Sequence, residues 1–196
     1  MLISLFRGIL AVALLHLFAC GQNDNNNNRT PNMNPTQGYE LSTLPNSGGI
    51  QNAVKRTADK QKILEEGHLI NQKREGTWLT YFASNGMIET LNSYRGGQKN
   101  GVSLRFNEAG TIVEKATYLN DQLNGTRYTY NFGRAKEEAT YINGKLNGIR
   151  KTYYDNGKVQ EEGNFADGKR DGETKWYDEK GNLSIQYQYK NGEKMQ

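Results

Sequence analysis

The chain has 196 residues, of which 35% are hydrophobic, and its 22 Gly stand against only 3 Pro. This composition suits short strands joined by turns better than a thick core. The formal charge is only +4 and the cations are interspersed with acids, without a basic run, which argues against a nucleic-acid partner.

Residues 1–19 have the layout of a secretory leader, in which one cation, Arg7, precedes an apolar run too short to span a bilayer. The run ends in LFAC, residues 17–20, which resembles the lipobox of bacterial lipoproteins except that Phe18 replaces a small or aliphatic residue. The resemblance implies export and a lipid on Cys20, which would hold the protein at a bacterial membrane (the outer membrane or cell surface in a Gram-negative cell). The alternative is an ordinary leader followed by a free cysteine. Cys20 is the only cysteine, so no intramolecular disulfide can form.

Residues 20–53 contain the run NDNNNN, all three prolines and hardly any apolar side chains. Such a segment cannot bury enough surface to offset the entropy lost on ordering. We therefore predict that residues 20–53 form a disordered tether behind the lipidated Cys20.

Residues 54–196 are predicted to form one repeat domain. A glycine recurs at steps of 25, 24, 23 and 24 residues, and a second glycine keeps the same period. The first glycines are Gly76, Gly101, Gly125, Gly148 and Gly172, and the second are Gly86, Gly110, Gly133, Gly157 and Gly181. We number the five units by these glycines. Residues 54–70 overlay on the second half of a unit, which predicts an opening strand without its partner.

Each unit contains two alternating runs separated by a glycine turn, which is typical of a β-hairpin. The predicted fold is all-β, an elongated single-layer antiparallel sheet of about five hairpin repeats. The register predicts five pairs across the turns: Tyr81 with Ile88, Phe106 with Ile112, Tyr130 with Ala135, Tyr153 with Val159 and Tyr177 with Leu183.

The same register predicts that one side of the sheet carries most aromatic rings and a row of glutamates. This candidate binding face comprises Tyr81, Phe106, Tyr128, Tyr130, Tyr153, Tyr177, Tyr94, Tyr118, Tyr141, Phe165, Glu114, Glu137 and Glu161. Glu161 is expected opposite Lys151, and Glu137 opposite Tyr128. The glutamates have two interpretations, structural cross-strand pairing, which we favour, or presentation to a cationic ligand.

Groups for catalysis are scarce in the sequence. After the leader the only imidazole is His68, so we expect no catalytic residue, no metal site and no cofactor. Neighbouring acids such as Glu137-Glu138 point to opposite faces of a strand and cannot act on one substrate.

The pattern Tyr-x-Asn-Gly-Lys-x-x-Gly followed by Tyr-Tyr-x-Asn-Gly-Lys, clearest at 141–158, resembles MORN-type repeats in the variant found in YwqK-type bacterial antitoxin proteins. The resemblance implies an extended sheet of hairpins used as an interaction surface. We expect a membrane-anchored, non-enzymatic module that binds a partner protein, with a toxin as one candidate. The alternative is an envelope component that binds lipid headgroups or glycans.

Overall fold

The computed structural model describes residues 36–196. The predicted leader, Cys20 and the first part of the predicted tether lie outside the described residues. Residues 34–196 form one compact unit, which is the unit described below.

The described residues contain fifteen strands and no helix, so the predicted all-β fold is confirmed. The strands are β1 (Glu40–Thr43), β2 (Gln51–Arg56), β3 (Ile63–Ile70), β4 (Lys73–Tyr81), β5 (Ile88–Arg95), β6 (Gln98–Phe106), β7 (Ile112–Leu119), β8 (Gln122–Leu123), β9 (Gly125–Asn131), β10 (Arg134–Ile142), β11 (Lys145–Tyr153), β12 (Val159–Ala166), β13 (Lys169–Tyr177), β14 (Leu183–Lys190) and β15 (Glu193–Lys194). They form one open antiparallel sheet in chain order, with β8 pairing only with β7. Each unit is a hairpin, and each hairpin pairs with the next.

All five predicted pairs across the turns are present in the sheet. Unit three closes on the two-residue loop Phe132-Gly133, since Asn131 pairs directly with Arg134. The differences in glycine spacing are therefore absorbed in the loops, and the strand ends keep their register.

Beyond the pair next to each turn, the predicted register is wrong by one residue. Tyr153 pairs with Val159 but Thr152 pairs with Glu161, so Gln160 is an extra residue, a β-bulge. The same bulge lies near the start of β3, β5, β7, β10 and β14, with Leu64, Glu89, Val113, Lys136 and Ser184 as the extra residues. A slip of one residue moves every later side chain to the other face.

The predicted glutamate pairings are corrected accordingly. Glu161 lies opposite Thr152, and it is Glu162 that faces Lys151. Glu137 lies opposite Thr129, while Glu138 faces Tyr128.

The first glycine of each unit marks a second irregularity in the sheet. Ala139 pairs with Arg150 and Tyr141 with Leu146, so β11 carries two more residues than β10 between these pairs. Gly148 lies in this bulge with a φ of 109°, a conformation that L side chains rarely adopt. The first glycine therefore recurs in every unit because each bulge between units needs this backbone conformation.

The sheet begins earlier than predicted. Residues 40–43 and 51–56 form β1 and β2, although the tether was predicted to extend to residue 53, and β2 supplies the partner that the opening strand β3 was expected to lack. Ala53 is fully buried against Leu69 and Trp78, and Tyr39 packs edge-on against Trp78 with a ring distance of 5.7 Å. Two residues of this polar segment thus join Leu69 and Tyr94 in covering the tryptophan.

Candidate binding faces

The bulges divide the predicted binding face between the two sides of the sheet. We call the two sides the tyrosine face and the ladder face. The tyrosine face carries Tyr81, Phe106, Tyr128, Tyr130, Tyr153 and Tyr177. The ladder face carries the other candidates, Tyr94, Tyr118, Tyr141, Phe165, Glu114, Glu137 and Glu161, together with Trp78 and Thr174. The prediction that all thirteen share one side is therefore wrong.

On the ladder face, glutamates and arginines alternate from β6 to β13. The row runs Arg105, Glu114, Arg127, Glu137, Arg150, Glu161, Arg170. The closest N···O distances are 2.6 Å for Arg127 with Glu114, 2.6 Å for Arg150 with Glu137 and 2.5 Å for Arg170 with Glu161. The contacts between these pairs are longer, 3.5 Å from Arg127 to Glu137 and 3.8 Å from Arg150 to Glu161. The row therefore connects four consecutive units.

These charges are partly withdrawn from solvent. The glutamate side chains are 16–21% exposed, and those of Arg127, Arg150 and Arg170 are 24–29% exposed. Burial lowers the pKa of Arg127, but its hydrogen bond to Glu114 and the charge of that carboxylate outweigh the burial, and the pKa is raised. Each carboxylate of the row contacts two guanidinium groups, so it is already paired with cations of its own chain.

In β4 and in β13, toward the two ends of the sheet, an arginine lies among aromatic rings. Arg74 lies 4.4 Å from the ring centre of Trp78 and 5.2 Å from that of Tyr94, and it pairs with Glu65 at 2.7 Å. It also donates to the hydroxyl of Tyr39. Such cation–π contacts are strongest where the cation is partly desolvated.

Arg170 repeats this arrangement at the other end. Its guanidinium lies 5.2–5.6 Å from the ring centres of Phe165, Trp176 and Tyr189. The predicted candidates Tyr94 and Phe165 therefore serve to hold these arginines.

The tyrosine face has a different chemistry. Glu138 accepts hydrogen bonds from the hydroxyls of Tyr153 at 3.1 Å and Tyr128 at 3.3 Å, and the rings of Tyr128 and Tyr130 stack at 6.3 Å. Burial, followed by the hydrogen bond to Glu138, raises the pKa of Tyr153 to about 12. Glu137 contacts arginines on the ladder face while Glu138 contacts tyrosines here, so the prediction that neighbouring acids point apart is confirmed.

Exposed apolar side chains add to the tyrosine face. Val102 and Ile149 are 41% and 44% exposed, and each lies in the same strand as one of the rings, Phe106 and Tyr153 respectively. The face thus combines amphipathic rings, exposed aliphatic groups and carboxylates.

Sequence reasoning missed the arginines. The spacing of these arginines could have indicated them. Arg127 and Arg150 each follow the first glycine of their unit by two residues, and they lie 13 residues after Glu114 and Glu137 respectively. In units one and five, Arg74 and Arg170 instead precede that glycine by two residues. Arg74 contacts Glu65 and Arg170 contacts Glu161, so an arginine at either position reaches a glutamate of the ladder face. The sequence could have suggested these contacts only with the correct register.

His68 lies in β3 opposite Glu75, and its backbone carbonyl accepts a hydrogen bond from the Trp78 indole at 3.1 Å. Among residues 36–196, no group of three or more His, Cys, Asp or Glu side chains could hold a metal ion. The same range has no helix with the length and apolar character needed to cross a membrane.

The protein is a β-hairpin repeat protein, because it forms a single sheet of consecutive hairpins. One side of the sheet is the ladder face and the other is the tyrosine face. Residues 99–120, 146–167 and 170–191 match the family described as the MORN repeat variant, so these three stretches are MORN-type repeats, as predicted. No curated protein matches the chain.

Proposed function

We propose that this protein is a non-enzymatic interaction module that binds a partner protein through its tyrosine face. The observation that carries the proposal is the division of the two faces. The ladder face satisfies its charges internally, whereas the tyrosine face leaves Val102 and Ile149 exposed in the strands that carry Phe106 and Tyr153. Tyrosine supplies large contact area with little loss of side-chain entropy, which is why it is frequent in protein-binding surfaces.

The proposal extends to location and biological role. The leader and the lipobox-like LFAC at residues 17–20 support export and anchoring to a bacterial membrane through Cys20. The resemblance of the repeats to those of YwqK-type antitoxin proteins supports a toxin as the partner that the module neutralises.

Capture experiments with residues 34–196, which form one compact unit, test the binding face. The fragment should recover a saturable protein partner from the envelope and secreted fractions of the native organism. Val102→Arg should abolish this recovery because it places a charge on the tyrosine face. Arg105→Gln on the opposite side of the same strand is the matched control, and it should leave recovery unchanged. Equal loss with both variants, or no partner at all, would argue against the proposal.

The anchor has a separate test in the full chain. Metabolic labelling with a palmitate analogue should label the protein and place it in the membrane fraction, and Cys20→Ser should remove both the label and the membrane association. An unlabelled, secreted wild-type protein would contradict the anchor.

A second candidate function is binding of lipid headgroups or glycans. The aromatic rings that recur in every unit on the tyrosine face favour it. Sedimentation of residues 34–196 with anionic liposomes or cell-wall fragments separates it from protein binding. Saturable sedimentation with either material, together with no recovered protein partner, would favour this second candidate.

A further inference from the structure

Glu138 is a carboxylate of the tyrosine face that has tyrosine neighbours but no cation of its own. It is half-buried in β10 and accepts hydrogen bonds from the hydroxyls of Tyr128 in β9 and Tyr153 in β11, the strands on its two sides. Lys151 lies directly opposite Glu138, but its amine pairs with Glu162 at 3.1 Å. No lysine or arginine among residues 36–196 forms an ion pair with Glu138.

The chain itself holds Arg74, on the ladder face, with the same kinds of group. The guanidinium of Arg74 lies 2.7 Å from Glu65 and donates to the hydroxyl of Tyr39 at 2.9 Å, while Tyr39 donates to the same carboxylate. The ring of Tyr94 lies beside this guanidinium at 5.2 Å. A carboxylate that accepts a tyrosine hydroxyl therefore binds a guanidinium at the same time. Glu138 and its tyrosines provide this set of groups without the arginine.

The carboxylate of Glu138 has acceptor positions left for such a group. An ionised carboxylate offers about four lone-pair positions. Tyr128 donates to Oε1 and Tyr153 to Oε2, so each oxygen keeps a further position. A guanidinium that binds a carboxylate through two parallel N–H bonds needs one position on each oxygen. The ring of Tyr130, stacked on that of Tyr128, extends the aromatic surface beside the carboxylate, and aromatic faces attract cations.

We propose that Glu138, Tyr128 and Tyr153 form a subsite for an arginine side chain of the partner protein. This inference rests on the proposed function, since it takes the tyrosine face as the surface that the partner covers. A partner that covers this face removes water from Glu138, and a buried carboxylate is costly unless a cation pairs with it. Arginine fits better than lysine because its planar guanidinium matches the two carboxylate oxygens and packs against aromatic rings.

Titration of the full chain with N-acetyl-arginine amide, followed by NMR, tests the subsite. The probe should shift the backbone amide signals of Tyr128, Glu138 and Tyr153 in a saturable way. The uncharged N-acetyl-citrulline amide should leave them in place, and N-acetyl-lysine amide should bind more weakly than the arginine probe. Glu138→Gln keeps the shape of the side chain but removes its charge, and it should weaken binding of the arginine probe at least about tenfold. The matched control is Glu173→Gln, which removes a charge of the same face that is already paired with Lys175 at 2.7 Å, and it should leave binding unchanged.

Capture of the partner with the same full-length variants tests whether the arginine belongs to that protein. Glu138→Gln should reduce recovery of the partner, and Glu173→Gln should not. Recovery that Val102→Arg abolishes but Glu138→Gln leaves unchanged would overturn the arginine subsite while the proposed function stands. Equal binding of the arginine probe and either of the other two probes, or equal binding of the arginine probe by the wild-type chain and Glu138→Gln, would also overturn it. Recovery of no partner would count against the proposed function, and the titration would still decide whether Glu138 binds a guanidinium.

Discussion

The guanidinium of Arg150 lies 2.6 Å from the carboxylate of Glu137 and 3.8 Å from that of Glu161, so one side chain joins two units. This contact repeats that of Arg127, which joins Glu114 to Glu137. Charge-assisted hydrogen bonds are stronger than neutral ones, so these partly buried pairs reinforce the strand pairing between hairpins.

Removing a carboxylate from the row should therefore destabilise the sheet. Glu137→Gln leaves Arg127 and Arg150 without their shared partner, and we expect a loss of about 1–2 kcal/mol in the free energy of unfolding. The measurement is urea unfolding followed by tryptophan fluorescence. Lys145→Met breaks the pair with Asp167, whose side chains are 65% and 76% exposed, and it should cost less than about 0.5 kcal/mol. Equal effects of the two variants would show that the row contributes no more than a surface pair.

Gly67 should not tolerate a side chain. A Cβ at this position would lie 2.4 Å from the Trp78 ring, which is 1% exposed and held between Tyr39 and Tyr94. Gly67→Ala should cost about 3 kcal/mol because the ring cannot move away. The check is the midpoint of chemical unfolding.

Gly163 occupies the equivalent position in unit four and serves as the control. A Cβ there would lie 3.0 Å from the flexible Arg170 and from Thr174. The equivalent positions in units two and three already carry the buried alanines Ala116 and Ala139. Gly163→Ala should therefore cost about 1 kcal/mol, and a larger loss than for Gly67→Ala would contradict the packing argument.

Phe132 is expected to be a site of stored backbone strain. It is 95% exposed and has a φ of 48°, a left-handed conformation that is unfavourable for a bulky residue. Phe132→Asn should raise the free energy of unfolding by about 1 kcal/mol, since asparagine adopts this conformation readily and no packing is lost. Thermal unfolding measures the gain. The reverse change at the matching conformation in another turn, Asn143→Phe, should lower stability, and stabilisation by it would refute the explanation.

The hydroxyl of Tyr153 should ionise at a higher pH than that of an ordinary tyrosine. Its pKa is raised from 10.0 to about 12, first by burial and then by Glu138. A raised pKa means that the folded state favours the neutral phenol, so this stabilisation is complete below pH 10 and is lost as the pH rises through about 12. The measurement is phenolate absorbance during an alkaline titration. In Tyr153→Phe the transition near pH 12 that belongs to this tyrosine should be absent. In Glu138→Gln the transition should move toward lower pH, and an unchanged titration in both variants would contradict the assignment.

The sequence by itself determined the five repeated hairpins and the pairing at each of their turns. These features are local: the Asn-Gly and Asp-Gly turns and the flanking rings fix how Tyr153 meets Val159, whatever surrounds them. The period also determined that the units stack in chain order, because a hairpin cannot bury its own face alone.

Only the tertiary structure decided which face each later side chain occupies. Each hairpin of the five units has one bulged residue near the start of its second strand, and in unit four this residue, Gln160, places Glu161 and Phe165 on the side opposite Tyr153. A bulge adds a residue without changing the alternation of residue types, so alternation alone could not locate it. The same shift brought the glutamates to arginines of neighbouring strands, and contacts of Tyr39 and Ala53 with Trp78 ordered a polar segment whose composition predicted disorder. These outcomes depend on contacts between residues that are distant in sequence. Such contacts stabilise the protein only once the sheet has formed.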